Sequence, residues 1–274
     1  MSTLGIIAGN RQFPQIFARE ARQAGVKHLV AVAFEGETDP AIEPLVDLVV
    51  WMKLGQLGKL IGAFQENKVR DIVMVGQIAP TNLFSNLRLD LRMTLLLAKL
   101  KRRNAETIFG AIGEELAKDG MKLVPHADYL QRLIPKAGVL TKRKPNAEER
   151  EDFEFGFRIG KSIAALDVGQ TVVVKRGTVL AVEAFEGTDA ALLRGGDLGN
   201  GDSVAVKVTK PGQDMRFDIP CIGCGTIETL RKAKITAMAI EAGKTLLLEL
   251  EDLLKMANES KIAIEAIDPK LQPK

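Results

Sequence analysis

Short apolar runs alternate with amphipathic stretches through the first 125 residues. Apolar runs at 4–8, 28–34 and 71–75 have the composition of strands that are buried on both faces. Residues 14–24 and 57–67 have helical spacing, and a further short strand is predicted at 46–52. Alternation of strand and helix at this spacing indicates a parallel sheet with helical crossovers. The pattern therefore predicts an α/β fold whose N-terminal domain is Rossmann-like and doubly wound.

A leucine repeat marks the next helix. Leu87, Leu91 and Leu95 recur at intervals of four and predict a helix over 83–103 whose leucine face packs on the core, with contact at a membrane surface as the alternative. A helix at 106–118 and a strand at 122–125 follow. Gly138, Pro145 and a basic run then indicate an exposed connection. We therefore place the boundary within this connection and predict domains at 1–140 and 141–274.

The C-terminal half restarts with a helix at 147–166. Residues 171–175 and 178–183 are rich in valine and are separated by Arg176-Gly177, which predicts a β-hairpin. A strand at 203–209 alternates apolar and polar positions. The remaining predicted elements are helices at 226–233 and 250–259 and strands at 236–240, 245–249 and 261–267. This half is predicted to be a second α/β domain with a mixed sheet.

Composition excludes several classes of protein. The 274 residues are 46% hydrophobic and 27% charged, as in a soluble globular protein and unlike a disordered chain. No apolar run approaches the roughly 20 residues of a membrane-spanning helix. The chain enters its first apolar run without a basic leader, so no signal peptide is predicted and a cytoplasmic location is expected. A net charge of +3, with 5% aromatic residues, predicts no nucleic-acid partner.

The turn after the first predicted strand is rich in glycine. Gly5, Gly9 and Asn10 stand where backbone N–H groups at a helix start can approach a phosphate. Glu35 follows the second strand, where nicotinamide-dinucleotide enzymes keep the acid that binds ribose. The full G-x-G-x-x-G pattern is absent. A plain tight turn, a nucleotide or sugar-diphosphate site, and a nicotinamide-dependent oxidoreductase all remain open here.

Three acids cluster after the predicted strand at 178–183. Glu183, Glu186 and Asp189 surround Gly187-Thr188 at what is predicted to be a helix start. Clustered carboxylates repel one another unless a cation lies between them, and Mg²⁺ takes one or two carboxylates together with substrate phosphate oxygens. The alternative is that Thr188 or Asp189 caps the helix while the glutamates are solvated.

A second polar stretch runs from 210 to 226. Lys210 and Arg216 are suited to holding a diphosphate, and Thr226 is predicted to cap the next helix. Asp218 adds an acid. The two cysteines of this stretch form a C-x-x-C motif, for which we favour two small buried residues beside a glycine turn over a redox pair. The acids and cations together suit a diphosphate bound with a divalent cation.

Several motifs in this order resemble a known family. They are Gly5-Ile6-Ile7-Ala8-Gly9 with Pro14, Gly76 with Pro80, Asp167-Val168-Gly169-Gln170, Val179-Leu180-Ala181-Val182-Glu183, Glu186-Gly187-Thr188-Asp189, and Arg216-Phe217-Asp218-Ile219-Pro220 with Ile222-Gly223 and Thr226. Together they resemble the UDP-2,3-diacylglucosamine pyrophosphatase family of lipid A biosynthesis, of the type without a calcineurin-like metallophosphoesterase motif. The resemblance spans nearly the whole chain.

The resemblance implies a hydrolase. It implies two α/β domains that bind a UDP-linked diacylated glucosamine lipid between them. It also implies Mg²⁺- or Mn²⁺-dependent hydrolysis to UMP and 2,3-diacylglucosamine 1-phosphate. Contact with the inner face of the inner membrane is expected, and homo-oligomer formation stays open.

Residue roles follow from the motifs and the resemblance. The predicted catalytic residues are Asp189, Glu186, Asp218, Lys210 and Arg216. The predicted metal ligands are Glu183, Glu186 and Asp189. The predicted substrate contacts are Gly9, Asn10, Gly76, Gln77, Gly187, Thr188, Gly223 and Thr226.

Two positions depart from the family pattern. Asn104-Ala105 stands where an acidic pair often precedes the helix, and Gly225 stands where some members carry an aspartate that matters for hydrolysis. These departures leave a second alternative open, a non-catalytic protein that binds or senses the UDP-lipid.

Overall fold

The chain forms two compact units. The computed structural model describes residues 3–78, 89–101, 105–214, 216 and 219–268, with the backbone alone at 105 and 106. One unit comprises Met1–Gln131 and Asp214–Asp218, and the other comprises Arg132–Gln213 and Ile219–Lys274. The first break falls after Gln131, whereas the sequence placed the boundary at 140/141. The short segment 214–218, which we call the returning segment, was not anticipated.

A five-stranded parallel sheet forms the centre of the N-terminal unit. Its strands are β1 (Thr3–Ala8), β2 (His28–Phe34), β3 (Leu48–Met52), β4 (Asp71–Val75) and β5 (Lys122–Leu123). They lie in the order β3-β2-β1-β4-β5, and every pair is parallel. From β1 the chain adds β2 and β3 on one side of the sheet and then β4 and β5 on the other. The topological switch point therefore lies between β1 and β4, and open α/β sheets bind ligands at such a point. The predicted α/β class is confirmed.

Among the described residues of this unit, four α-helices accompany the sheet. They are α1 (Phe13–Gln23), α2 (Leu57–Glu66), α3 (Leu91–Lys99) and α4 (Ala105–Lys118). The predicted packing face of α3 is wrong, because Leu91 and Leu95 are 76% and 53% exposed, and Leu87 lies outside the described residues. The face that packs carries Met93, Leu96 and Leu97 instead. This spacing of three and four forms a continuous helical stripe, so it buries more apolar area than a repeat of four alone.

A six-stranded mixed sheet forms the centre of the C-terminal unit. Its strands are β6 (Gly138–Val139), β7 (Thr171–Lys175), β8 (Thr178–Val182), β9 (Ser203–Lys207), β11 (Ile235–Glu241) and β13 (Ala263–Ile267). The order is β6-β13-β11-β9-β7-β8. Strands β9, β11 and β13 are parallel, and the other pairs are antiparallel. The mixed sheet is confirmed, as is the β7–β8 hairpin, but the predicted linker contains β6, which pairs with β13.

Helices cover both faces of the mixed sheet. They are α5 (Ala147–Ala165), α6 (Thr188–Gly199), α7 (Cys224–Lys232) and α8 (Leu250–Glu259), and β10 (Cys221–Ile222) and β12 (Leu246–Leu247) form a small parallel pair. Two apolar clusters fill the layers, one including Phe153, Val204 and Val206, and the other including Leu192 and Ala205. Within the described residues, none of the helices has the length and apolar composition needed to cross a membrane.

A buried carboxylate ties the ends of β9 and β11. Glu241 is fully buried and accepts hydrogen bonds from the Thr209 backbone, the Thr209 hydroxyl and Lys161, and it pairs with Lys244. Burial alone would raise the pKa of Glu241, but these donors bring it below its usual range. The carboxylate therefore stays charged and fixes the chain where it leaves the sheet toward Lys210.

Candidate functional site

Two loops cross where β1 and β4 end. The N–H of Gly9 donates to the Val75 carbonyl at 2.8 Å, and the N–H of Asn10 donates to the Gln77 carbonyl at 2.7 Å. A Cβ at Gly9 would lie 2.4 Å from the Gln77 oxygen, and Gly76 has a φ of +91°. Only glycine fits at both positions. The structure thus brings together Gly9, Asn10, Gly76 and Gln77, and their contact with substrate stays a prediction.

Asn10 carries a buried, unpaired acceptor at this crossing. Its Nδ2 donates to Glu37 Oε2 at 2.8 Å, which leaves Oδ1 as the acceptor, and Oδ1 has no hydrogen-bond partner among the described residues. A buried acceptor without a donor costs about 1–3 kcal/mol. This cost favours a ligand that presents an N–H or O–H group here. Glu35 is exposed, so the acid bound to the glycine turn is Glu37.

An apolar pocket adjoins the crossing. It has a volume of about 90 Å³, and its wall includes both glycines together with Leu60, Met93 and Phe109. Every residue that lines it belongs to the N-terminal unit. The pocket suits an alkyl chain better than a polar group, because few hydrogen-bonding side chains face it.

A buried lysine neutralises the first acid of the predicted metal site. Lys207 is 7% exposed, and its Nζ donates to Thr188 Oγ1 at 2.9 Å and to Thr171 Oγ1 at 3.3 Å. The Thr188 hydroxyl donates to Glu183 Oε1 at 2.7 Å, and the lysine lies 3.9 Å from the other carboxylate oxygen. Glu183 is thus held by a hydroxyl and an ammonium, which disfavours a divalent cation beside it.

Lys207 was missed by the sequence analysis. The alternation along β9 places Val204 and Val206 on one face, which leaves Lys207 on the other face of a strand that was predicted to alternate apolar and polar positions. In the structure that second face also packs, since Ala205 lies in the same cluster as Leu192 of α6. Register then sets Lys207 opposite Thr171 of β7. The sequence did offer one signal for this residue, namely a lysine placed within a predicted strand.

The other two acids have separate partners. Glu186 pairs with Arg194 at 2.6 Å, and the pKa of Glu186 is lowered by its own backbone N–H and by this guanidinium. Asp189 is exposed and accepts from the Thr229 hydroxyl at 3.2 Å. Across the described part of the chain, no three His, Cys, Asp or Glu side chains group in a way that could hold a metal ion. The structure therefore does not bring the three predicted acids together as one group, and their binding of a metal ion stays a prediction.

The predicted diphosphate-binding cations are both paired with acids. Lys210 Nζ lies 3.0 Å from Asp167 Oδ1, in the C-terminal unit. Arg216 donates through Nε and Nη2 to both oxygens of Asp214, with a shortest distance of 2.6 Å, and this carboxylate raises the pKa of the guanidinium. Arg216 belongs to the N-terminal unit. Asp218, the remaining predicted catalytic acid, lies outside the described residues.

The starts of α6 and α7 lack side-chain caps. Gly187 precedes α6, and Gly223 precedes α7. Thr226 was predicted to cap α7, which is wrong. It is the third residue of the helix, and its hydroxyl accepts from the Gly223 N–H at 3.4 Å. A Cβ at Gly225 would meet no atom within 4 Å, so a side chain fits there.

The two cysteines flank Gly223. Neither cysteine forms a disulfide bond, and Cys221 is exposed while Cys224 is half-buried. Burial raises the pKa of the Cys224 thiol, and the nearby acids Glu249 and Asp252 raise it further. A thiol with a raised pKa is a poor nucleophile and metal ligand at neutral pH. The prediction that both cysteines are buried is wrong, since Cys221 is exposed and Cys224 is only half-buried.

His126 is the buried polar side chain that the sequence gave no reason to select. It is 1% exposed, its Nδ1 lies 3.2 Å from the Arg216 carbonyl oxygen, and its ring packs edge-on against Phe13. Nε2 has no hydrogen-bond partner among the described residues. Burial lowers the pKa of His126 to about 4, against a smaller opposing effect of the bond to Arg216. The imidazole is thus neutral at pH 7, with its proton on Nδ1.

The low pKa of His126 predicts acid lability. Between pH 6.5 and pH 4 the unfolded chain binds a proton that the folded chain does not, so the free energy of unfolding falls with pH. The full loss from this group is about 3 kcal/mol, and it is absent above the unfolded pKa. Urea unfolding of the wild type and of His126→Asn across this range measures it. Parallel pH curves for the two proteins would contradict the assignment.

Comparison with family models identifies the class. The model described as the LpxI N-terminal domain matches residues 3–133, and the model described as the LpxI C-terminal domain matches residues 136–265. The two matches follow one another in order and together leave only short ends and a two-residue gap. The chain belongs to the LpxI family.

A curated relative agrees with the family match over its full length. The UDP-2,3-diacylglucosamine pyrophosphatase LpxI of Caulobacter vibrioides is 29% identical over 286 residues, covering 100% of both chains. Among solved structures, a biotin carboxylase of Campylobacter jejuni matches at 12% identity with a TM-score of 0.29, covering 72% of this chain and 42% of its own. An N5-carboxyaminoimidazole synthetase of Staphylococcus aureus matches at 14% identity with a TM-score of 0.26, covering 68% of this chain and 41% of its own. The chain spans less than half of these two proteins, and such scores support no inference.

Proposed function

We propose that the protein hydrolyses the diphosphate of UDP-2,3-diacylglucosamine to UMP and 2,3-diacylglucosamine 1-phosphate, in lipid A biosynthesis. The observation that carries the proposal is the match of both LpxI domain models together with the end-to-end alignment to the Caulobacter enzyme. The nicotinamide-dependent alternative is not favoured, because Glu37 rather than Glu35 is bound to the glycine turn.

The described residues supply the kinds of group that this substrate needs. The pocket beside Gly9 and Gly76 takes an acyl chain, and the unpaired Oδ1 of Asn10 accepts from a hydroxyl or amide of the nucleotide or sugar. Arg216 and Lys210 neutralise the negative charge that develops on the diphosphate oxygens. In this proposal the diphosphate oxygens take over part of the contact that Lys210 now makes with Asp167 and Arg216 with Asp214.

Asp189 is the acid that we assign to the reacting centre. Among the described residues it has no lysine or arginine partner, whereas Glu186 is paired with Arg194 and Glu183 lies beside Lys207. Its carboxylate accepts the proton of the attacking water. Since the three acids do not converge, Mg²⁺ or Mn²⁺ would be held by diphosphate oxygens and Asp189, and a bound ion would neutralise phosphate charge.

The test is release of UMP. Purified protein with UDP-2,3-diacylglucosamine should yield UMP and the lipid phosphate by mass spectrometry, EDTA should abolish the release, and Mg²⁺ or Mn²⁺ should restore it. A protein that retains bound UDP-lipid without forming UMP would be the non-catalytic alternative. Full turnover in EDTA would show that the reaction needs no metal ion, and the hydrolase proposal would stand without one.

We further propose that the C-terminal unit contacts a membrane surface. Phe185, Leu166 and Val168 are exposed apolar side chains on two loops. These loops touch, because a Cβ at Gly169 would lie 1.9 Å from the Glu183 oxygen. Exposed aliphatic and aromatic side chains at a loop tip suit insertion among lipid headgroups. A substrate with two acyl chains is found at such a surface.

Vesicle binding tests the contact. Replacing Phe185 by serine should reduce co-sedimentation with phosphatidylglycerol vesicles several-fold, at unchanged melting temperature. Leu198→Ser is the matched control, because Leu198 is exposed near the far end of α6. Equal losses in the two variants, or none in either, would refute a contact at Phe185.

A further inference from the structure

Arg216 reaches the N-terminal unit on a short stretch of chain. The residues before and after the returning segment belong to the C-terminal unit, while the segment itself belongs to the N-terminal unit. The bond between the imidazole of His126 and the Arg216 carbonyl spans 90 residues of sequence.

The side chain of Arg216 lies beside α4. Its guanidinium is paired with Asp214, two residues away in the same segment, so this pair does not fix the segment to the rest of the unit. A Cβ at Gly113 of α4 would lie 4.0 Å from Nη1, and Glu114 acts on the guanidinium electrostatically. The guanidinium therefore lies along α4, and His126 holds the carbonyl of the same residue.

The enclosure of His126 makes it a rigid anchor. The ring is nearly inaccessible to solvent and packs against Phe13, the first residue of α1. A buried donor in a fixed ring loses little entropy when it bonds a carbonyl, and leaving that carbonyl unpaired is costly. The ring thus connects the start of α1 to Arg216.

We propose that His126 is a positioning residue that sets the placement of Arg216 against the substrate diphosphate. The inference rests on the proposed function, since it takes Arg216 as the group that neutralises the diphosphate. His126 itself touches neither substrate nor the reacting atoms. It acts by donating its Nδ1–H to the Arg216 carbonyl.

Two substitutions separate the hydrogen bond from the volume of the ring. Asparagine places an N–H donor near the position of Nδ1, whereas phenylalanine keeps the ring and removes the donor. His126→Phe should lower kcat/KM for UMP release by about 10–100-fold, and His126→Asn should stay within about threefold of wild type. Hydrogen exchange of the peptide containing Arg216 should accelerate in His126→Phe and not in His126→Asn.

A double-mutant cycle ties the effect to Arg216. In an Arg216→Ala background, His126→Phe should change kcat/KM by less than about twofold, because coupled residues are not additive. A full additional loss in that background, or unchanged exchange in His126→Phe, overturns the proposal. If the wild type releases no UMP, the proposed function is refuted instead. Hydrogen exchange of the Arg216 peptide and the affinity for pyrophosphate, both measured in His126→Phe and His126→Asn, then decide whether His126 positions Arg216.

Discussion

Asp189→Asn should lower the rate of UMP release by at least about 100-fold, the range expected when a proton acceptor is lost. The substitution is nearly isosteric, and the side chain is exposed with the Thr229 hydroxyl as its partner, which an amide oxygen serves equally well. The free energy of unfolding should therefore change by less than about 1 kcal/mol. The measurements are steady-state UMP release and urea unfolding.

The same change at the other end of the helix is the control. Asp197→Asn removes a charge from an exposed position near the last turn of α6 and should leave turnover unchanged. If Asp189 only supports the first turn of α6, asparagine would replace it with little loss, because the two residues stabilise helix starts about equally. Wild-type turnover in Asp189→Asn would thus remove the residue from the reacting centre.

Gly9→Ala should destabilise the protein by about 2–3 kcal/mol, since the added methyl group has no room. Its Cβ would lie 2.4, 2.8 and 2.9 Å from the oxygen, nitrogen and carbon of Gln77, all of them backbone atoms. The crossing must therefore open, which displaces Asn10 and the wall of the apolar pocket. We expect a lower melting temperature and a raised KM for the UDP-lipid in the surviving folded fraction.

Gly62→Ala is the matched control for that variant. Gly62 lies within α2 of the same unit, and a Cβ there would meet nothing within 4 Å. Alanine in a helix interior is favoured over glycine by about 0.5–1 kcal/mol, so this variant should be slightly stabilised. A tolerated methyl group at Gly9 would show that the two loops do not need their close approach.

The sheets could be predicted because their signals are local. The apolar runs of β1, β2 and β4 and the hairpin of β7 and β8 each lie within a few residues. The packing face of α3 was misassigned because a leucine at every fourth residue competes with the stripe of Met93, Leu96 and Leu97, and only packing decides between them. The returning segment has no local signal, since its membership in a unit depends on contacts far along the chain.

The sequence marks the segments that form the candidate site, but it does not show which side chains meet there. Glycine crowding at Gly9 and Gly76 follows from turns after neighbouring strands, which the sequence marks. The cluster of acids was visible, but their partners were not, because Lys207 and Arg194 meet Glu183 and Glu186 only in the folded state. His126 was missed for the same reason, since the carbonyl that it binds is 90 residues away.

Synthesis on the ribosome meets the returning segment late. Domains at the N-terminus generally fold first as the chain emerges. Here the N-terminal unit includes Asp214–Asp218, so a nascent chain of 131 residues lacks a part of it, including the carbonyl that pairs with His126. Most of the C-terminal unit is therefore translated before the last part of the N-terminal unit, and a fragment of residues 1–131 would lack the hydrogen bond from His126 to the Arg216 carbonyl.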